Sequence, residues 1–358
     1  MDTQIEVIFN QILVSCLEQK ASDLFLFPGQ KPYIRAEGVV RDLNKAQIVA
    51  ANFIEGILAR LLTQEQQEIL KKQKQLVFSR ELGKNHRAKI NVFRQNNLSA
   101  IAIKLFSNQI ISLEQLKLPK LVTEMASLNK GLIIISGPRD SGRSNLMAAM
   151  VDYINKNKSV HIATIEKPIE YLFMNGKSLV EQREVSRDVV SFQDGINSID
   201  DRSVDVLVSS GIEKPDQVFD LLKICQKSIL VFLLMEADNS SSVIQQVLEG
   251  VEPSKHGLIK NLLADNLGGI ICTRLVPKIG GGRILALEVL NGSPMLKNLI
   301  REGRALQLKN IFQVAEKELS ISLDRFLADL VKSGEVNIEE ALKQATDPEN
   351  LKSMTNLN

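Results

Sequence analysis

The amino-acid sequence predicts an α/β fold, in which a small α+β domain precedes a core built on a parallel sheet and a helical tail. Four short apolar runs alternate with helical segments in the middle of the chain, which is typical of parallel strands that helices cover on both faces. The residues before these runs mix helical periodicity with short strands, and the last residues have helical periodicity alone.

The chain has 358 residues, which is long enough for two or three domains. Its 44% hydrophobic and 24% charged residues are typical of a folded protein with a buried core. A loop-like stretch that ends at Pro119 separates the two regions that contain strands. We therefore predict an N-terminal domain over 1–106, a linker over 107–119, a core over 120–290 and a C-terminal helical region over 291–358.

Charge and composition exclude several classes of protein. The 44 basic and 42 acidic residues give a net charge of +2, and 4% of the residues are aromatic, so we expect no nucleic-acid partner. Cys16, Cys225 and Cys272 are widely spaced, which excludes a four-cysteine zinc site and indicates buried thiols. Neither a targeting segment nor a run of ~18 apolar residues is present, so we expect a cytoplasmic protein without direct membrane insertion.

The first domain combines two periodicities. Apolar residues recur at helical spacing from Ile5 to Cys16, and a Glu37-Gly38 turn separates two short apolar pieces. The sequence therefore predicts, in order, a helix over 3–19, a hairpin around 32–40, a helix over 47–75 and strands over 88–93 and 99–106.

In the core the predicted strands are continuous apolar runs, because both faces of such strands are buried. These runs lie at 132–135, 160–165, 204–208 and 229–234, and two further strands at 269–276 and 284–289 flank a triple-glycine turn. In the tail, Gly334 follows an apolar helical face and predicts a helix end with positive φ. Asn337 and Glu340 have the spacing of a capping box for the next helix.

The most informative motif is G-P-R-D-S-G-R-S at residues 137–144, which lies between a predicted strand and a predicted helix. This context is the one that the phosphate-binding pattern G-x-x-x-x-G-K-[S/T] requires, because backbone N–H groups at a helix N-terminus bind anions. The hydroxyl of Ser144 stands where this pattern binds Mg²⁺. The candidate nucleotide-binding residues are Gly137, Pro138, Asp140, Ser141, Gly142, Arg143, Ser144 and Asn145.

Two residues of this loop oppose nucleotide binding. Arg143 replaces the lysine of the pattern, and a planar guanidinium does not replace a compact ammonium at the β- and γ-phosphates. Asp140 would place a carboxylate ~4 Å from a phosphate, at a cost of about 4 kcal/mol for an effective dielectric constant near 20. An ion pair of Asp140 with Arg139 or Arg143 would neutralise this charge, which is our hypothesis of an internally plugged loop.

Several motifs together resemble the PilT/PilU-type twitching-motility ATPases, the motors of type IV pilus retraction. The resemblance extends over nearly the whole chain. It includes A-S-D-L-F-L at 21–26, the loop at 131–144, T-I-E-K-P-I-E at 164–170, Q-R-E-V at 182–185, K-I-G-G-G-R at 278–283 and N-L-I-R-E at 298–302. Phe25 and the segments 116–119, 275–277 and 334–345 are closer to the PilU branch.

The resemblance implies a PAS-like N-terminal domain, a RecA-like ATPase core and C-terminal helices. It implies Mg-ATP as the cofactor and a hexameric ring, made of this chain alone or together with an active retraction ATPase. It also implies a cytoplasmic location, peripherally associated with the inner-membrane platform protein of the pilus. Extension and secretion-assembly ATPases fit less well, because they usually carry a four-cysteine zinc module.

This chain departs from the family where the chemistry takes place. The resemblance assigns to Glu166 the positioning of Mg²⁺ and of the attacking water, but Lys167 replaces the aspartate that follows it. Ser210 and Gly211 stand where the Walker B strand should lead to Gly-Glu, and Glu213 would replace that acid only after the loop is rebuilt. Our candidate catalytic residues are therefore Glu166 and Glu213.

Further expected polar residues are replaced. Residues 227–236 stand where the family has T-G-H-L-V-F-G-T-L-H, so both histidines are absent. Asn197 and Asp201 replace arginines that the family has before the Walker B strand. Lys104 stands where the family has an arginine that faces the phosphate. Because phosphoryl transfer depends on positioning and charge neutralisation, we predict an accessory subunit without hydrolysis. The alternatives are an active motor with altered site geometry and an adaptor that reuses the fold without nucleotide.

Overall fold

The computed structural model describes residues 2–44, 46–82, 86–106, 109–212, 214, 216–304, 307–308, 311–314 and 320–355. The chain divides into two compact units, Met1–Gln109 and Ile110–Asn358. A capping residue or a glycine sets the ends of several elements.

The first unit is an antiparallel sheet covered by helices. Its elements are α1 (Asp2–Glu18), β1 (Ala21–Leu26), β2 (Tyr33–Ala36), β3 (Val39–Asp42), α2 (Ala51–Leu61), α3 (Gln64–Gln73), β4 (Gln75–Leu82), β5 (His86–Gln95) and β6 (Leu98–Leu105). The strand order is β3-β2-β1-β6-β5-β4, and all neighbouring strands are antiparallel. Alternate side chains such as Leu24, Ile34 and Ile90 face one hydrophobic core together with apolar residues of the helices.

The prediction of one continuous helix over 47–75 is wrong, because the structure has two helices there, α2 and α3. Thr63 begins α3 with a capping box: its hydroxyl accepts a hydrogen bond from the Gln66 N–H, and its own N–H donates to the Gln66 side chain. This arrangement satisfies the free N–H groups of a new helix and fixes the preceding residues in an extended conformation. Strand β4 was also missed, because this edge strand alternates between exposed and half-buried residues and lacks an apolar run.

The second unit is built on a mainly parallel sheet. Its first elements are α4 (Leu113–Leu116), α5 (Lys120–Ala126), β7 (Gly131–Ser136), α6 (Arg143–Asn157), β8 (His161–Glu166), β9 (Leu179–Glu184), α7 (Phe192–Asn197), β10 (Val206–Ser210), α8 (Gln217–Cys225), β11 (Leu230–Leu234), α9 (Ser240–Glu249) and α10 (His256–Asn266). They are followed by β12 (Leu267–Pro277), β13 (Arg283–Asn291), α11 (Pro294–Arg301), α12 (Ile311–Val314), β14 (Ser320–Ile321), α13 (Leu323–Lys332), α14 (Ile338–Gln344) and α15 (Pro348–Thr355).

The strand order of this sheet is β14-β13-β12-β7-β11-β10-β8-β9. The strands from β12 to β9 are parallel to their neighbours, and β13 and β14 are antiparallel. Leu132 and Ile134 of β7 belong to the core on one face, whereas Ile133 and Ile135 belong to the core on the other face with α6. Burial on both faces explains the continuous apolar runs, and the predicted fold class, an antiparallel domain followed by a parallel-rich core, is confirmed.

Local hydrogen bonds set the helix ends and turns of the C-terminal residues. Gly334, at φ 72°, ends α13, and the Gly334 N–H donates to the Val331 carbonyl as predicted for a helix end. The predicted capping box at Asn337 is wrong, because the Asn337 side chain makes no capping hydrogen bond. The buried carboxylate of Asp324 accepts hydrogen bonds from the N–H groups of Thr346 and Asp347, which fixes the turn before α15.

The three cysteines are unpaired and buried, as predicted, and burial raises the pKa of the Cys16 and Cys225 thiols to about 12. Across the described parts of the chain, the helices are too short or too polar to cross a lipid bilayer.

Candidate functional site

The phosphate loop connects β7 to α6, and two glycines and an aspartate give it its shape. Gly137 and Gly142 have φ values of 151° and 94°, and Asp140 has a φ of 59°. A side chain on Gly137 would put its Cβ 2.7 Å from the Thr273 carbonyl oxygen, so only glycine fits there. Asp140 tolerates the left-handed region better than most residues, which explains how the loop keeps its turn without a third glycine.

A chain of buried hydroxyl groups holds the loop from below. The hydroxyls of Ser141 and Thr273 are 2.8 Å apart, and the Thr273 hydroxyl donates to the Ser136 carbonyl over 3.1 Å. The Ser136 hydroxyl in turn donates to the carbonyl of Ala237 over 2.8 Å. All three hydroxyl residues are buried. The loop is therefore hydrogen-bonded to β12, and the end of β7 below it is hydrogen-bonded to the residues after β11.

Arg143, at the position of the lysine in the phosphate-binding pattern, is the first residue of α6. Its Nη1 atom donates a hydrogen bond of 2.7 Å to the backbone carbonyl of Met235, just after β11. Burial lowers the pKa of Arg143, and the nearby carboxylates of Glu236, Glu170 and Asp140 oppose this effect. The proximity of Asp140 agrees with the hypothesis of an ion pair inside the loop, which remains a prediction.

A second arginine of the loop contacts the same segment. The Nε atom of Arg139 lies 3.2 Å from a carboxylate oxygen of Glu236, and both side chains are largely exposed. Nearby, Arg274 of β12 donates to the carbonyl of Asp238 over 2.7 Å. We name residues 235–238 the strap, because each of them contacts the phosphate loop, the end of β7 or β12.

The start of α6 also contacts the residues after β8. Asn145 stands beside Ser144 and accepts a hydrogen bond of 2.8 Å from the hydroxyl of Tyr171. Tyr171 is buried, and burial raises its pKa, so the phenol keeps its proton at neutral pH. Ser144 itself is half-buried in the first turn of α6, which is the position that the pattern assigns to a Mg²⁺ ligand.

Glu166 lies at the carboxyl end of β8, on the same edge of the sheet as the phosphate loop. It is buried, and a carboxylate oxygen accepts hydrogen bonds from the Thr164 hydroxyl at 2.7 Å and from the Gln182 amide at 3.4 Å. Strands β11 and β10 separate β8 from β7 in the sheet. The sheet therefore brings the retained acid and the loop to one edge.

Ser210 and Gly211 stand where the family has Gly-Glu, so the position of the Walker B acid carries no carboxylate. Gly211 has a φ of 99°, and a Cβ atom there would lie 2.5 Å from the Cβ of Lys167. The chain therefore packs tightly where an acidic side chain would be needed. Glu213, our second candidate catalytic residue, lies outside the described residues, so its role stays a prediction.

The shape of the site fits a phosphate group, but its charges do not. The positive φ values of the loop and the N-terminus of α6 form the backbone arrangement that binds anions. However, three carboxylates lie close enough to Arg143 to affect its pKa, and a nucleotide would add negative charge beside them. The carboxylate charge near Arg143 therefore opposes the binding of a nucleotide.

Sequence reasoning did not identify four residues of this site: Glu170, Tyr171, Met235 and Glu236. Glu236 and Arg139 are 97 positions apart in the chain. One signal was available, because the carboxyl ends of neighbouring parallel strands meet at the same edge of a sheet. Both the loop after β7 and the residues after β11 follow such ends, and polar residues there were candidates for contact.

Comparison with known proteins gives consistent results. A family described as "Type II/IV secretion system protein" matches residues 1–280. The chain is 29% identical to the "Type IV pilus retractation ATPase PilT" of Pseudomonas aeruginosa over 340 residues, which cover 95% of this chain and 98% of the relative. It is 28% identical to the "Type IV pilus ATPase PilU" of the same organism over 352 residues, covering 98% and 91% respectively.

A solved structure is similar over the same length. The "Crystal Structure of the Pilus Retraction Motor PilT and Bound ADP" has a TM-score of 0.83 and 31% identity to this chain, and the match covers 96% of this chain and 98% of the other. The resemblance to the PilT/PilU group that the motifs predicted is confirmed. Because the identities to PilT and PilU are nearly equal, the closer resemblance to the PilU branch stays a prediction.

Proposed function

The chain belongs to the Type II/IV secretion system protein family, as a homologue of PilT and PilU, and we propose that it is a hydrolysis-deficient accessory or regulatory subunit of type IV pilus retraction. Homology to retraction ATPases over nearly the whole chain supports the motor family. The altered site supports the accessory role.

The observation that carries this proposal is the state of Arg143. Its guanidinium donates to the Met235 carbonyl, and burial lowers its pKa against the opposing effect of the charges of Glu236, Glu170 and Asp140. A cation that neutralises its own chain's carboxylates is less available to neutralise charge in a phosphoryl-transfer transition state. Gly211, which packs against Lys167, adds a second defect, because no acid at that position can help to hold Mg²⁺.

Partners follow from the same homology. We propose that the chain forms a hexameric ring, alone or with an active retraction ATPase, and contacts the inner-membrane platform protein of the pilus. It would work in the cytoplasm, peripherally associated with that machinery. Its buried strands retain the apolar residues of an intact fold, while the polar residues of the site are replaced, which supports a role in assembly.

The proposal is tested by steady-state ATP hydrolysis with the purified full-length chain. The matched control is Glu166→Gln, which keeps the size of this buried side chain and removes the retained acid. We expect the two proteins to have the same background rate, and we expect addition of the wild-type chain to change the rate of an active retraction ATPase. A wild-type rate that Glu166→Gln abolishes would show that the chain is itself a motor.

One observation favours that alternative, an active motor with altered geometry. Glu166 is buried and held by Thr164 and Gln182, so the retained acid has a fixed orientation. In this case Arg143 would have to leave the Met235 carbonyl and contact the nucleotide. Arg143→Lys would then raise the hydrolysis rate, whereas an inactive chain would gain nothing from this single change.

A further inference from the structure

The strap contains a carboxylate, Glu236, that contacts an arginine of the phosphate loop. Glu236 follows β11 and contacts Arg139, the third residue of the phosphate loop. In the family pattern that the sequence resembles, the position of Glu236 is a histidine, so this negative charge is a property of the present chain. Arg143, the seventh residue of the loop, donates a hydrogen bond of 2.7 Å to the carbonyl of Met235, the residue before Glu236 in the strap.

Carboxylates and phosphates are recognised by the same groups. Arginine binds both through parallel N–H donors, and a helix N-terminus favours either anion. A phosphate that entered the loop would therefore compete with Glu236 for the arginines and would also be repelled by it. On this basis we propose that the strap is an autoinhibitory latch, in which the Glu236 carboxylate acts as an internal anion that keeps Arg139 and Arg143 from an external phosphate. This inference rests on the proposed function, because the latch would give a hydrolysis-deficient chain a weak affinity for nucleotide.

The geometry indicates a weak latch that can open. The side chains of Arg139 and Glu236 are 86% and 52% exposed, and exposed ion pairs change an equilibrium constant by roughly 1.4- to 5-fold. The backbone of the strap, in contrast, is held by buried groups, since the Ser136 hydroxyl donates to the Ala237 carbonyl. The side chain of Glu236 can therefore release Arg139 while the strap stays in place.

The test is a double-mutant cycle on the full-length chain, with inorganic pyrophosphate as the probe and calorimetry as the measurement. The variants are Glu236→Gln, Arg139→Gln and the double substitution. The control is Glu252→Gln, which removes another exposed glutamate that pairs with a lysine, Lys255. Thermal melting of each variant confirms that it is folded.

We expect Glu236→Gln to tighten pyrophosphate binding about tenfold, or about 1.4 kcal/mol, and Glu252→Gln to leave it unchanged. In the Arg139→Gln background the gain should be at least about threefold smaller, because the released arginine is no longer present. Equal gains in both backgrounds would mean simple charge repulsion and would overturn the latch, as would the absence of any gain.

The hydrolysis assay and the double-mutant cycle separate failure of the proposed function from failure of the latch. Hydrolysis by the wild-type chain would overturn the accessory role, whatever the cycle shows. An additive cycle with an inactive wild-type chain would overturn the latch alone and leave the accessory role supported.

Discussion

The substitution Asp140→Gly should make the phosphate loop a better anion site. Asp140 is exposed at the tip of the loop and has a φ of 59°, a conformation in which glycine is at least as stable as aspartate. The substitution therefore removes a negative charge without changing the backbone of the loop. A change in anion affinity can then be assigned to electrostatics.

The magnitude follows from Coulomb's law. At ~4 Å, a carboxylate and a phosphate charge repel by about 1 kcal/mol in water and by about 4 kcal/mol at an effective dielectric constant near 20. Because Asp140 is exposed, the value should lie near the lower limit, at about 1–2 kcal/mol, which corresponds to roughly 5- to 30-fold in affinity. The gain should shrink in high salt, since the Debye length falls from about 10 Å at 0.1 M to about 3 Å at 1 M.

Calorimetric titration with pyrophosphate measures this gain. The first unit offers a matched control, Glu37→Gly, because Glu37 is also an exposed acid with positive φ, at 51°. We expect Glu37→Gly to leave pyrophosphate binding unchanged. If the two variants bind pyrophosphate equally, or if the gain of Asp140→Gly does not depend on salt, the electrostatic reasoning is refuted.

Three further predictions concern stability. Gly137→Ala should lower the free energy of unfolding by about 1–3 kcal/mol in urea titrations, because its Cβ would lie 2.7 Å from the Thr273 carbonyl; an unchanged midpoint would contradict the packing described for the loop. Asp324→Ala should cost about 2–4 kcal/mol and increase hydrogen exchange in α15, because two N–H groups lose a charged acceptor, whereas Asp324→Asn, which keeps one acceptor, should cost less. Burial raises the pKa of Asp188, but hydrogen bonds from Arg187 and from the Glu184 N–H outweigh it, so the pKa is lowered. Its contribution to stability is then present above the unfolded aspartate pKa of about 3.9 and is lost as the pH falls through the lowered value, so Asp188→Asn should flatten acid unfolding in that range.

The sequence predicted the parallel core well because burial on both faces leaves an unmistakable pattern. The six predicted strands of the second unit are present as β7, β8, β10, β11, β12 and β13. Strand β9 was missed, because this edge strand, Leu179–Glu184, is mostly half-buried and polar. The same reason explains β4 in the first unit, so edge strands are where hydrophobic periodicity fails.

The loop was predicted from its motif, but its contacts were not. The motif predicted a tight turn between a strand and a helix, and Gly137 and Gly142 have positive φ in the turn that precedes α6, because this conformation depends on neighbouring residues. The pair of Arg139 and Glu236 depends on strand order, which brings the end of β11 beside the end of β7. Residue spacing carries no information about that order, so the sequence suggested Asp140, the nearest carboxylate along the chain, as the partner of Arg139 or Arg143.

The hydroxyl chain beneath the loop has an evolutionary consequence. Ser136, Ser141 and Thr273 hold the turn from inside the protein, whereas Arg139 and Asp140 are exposed at its tip. Shape and chemistry are thus encoded by separate residues, so the tip can diverge while the turn is inherited intact. Substitutions at the exposed tip can therefore change the charge of the loop without disturbing its fold, and a designer who wished to change its ligand would start from a turn that is already built.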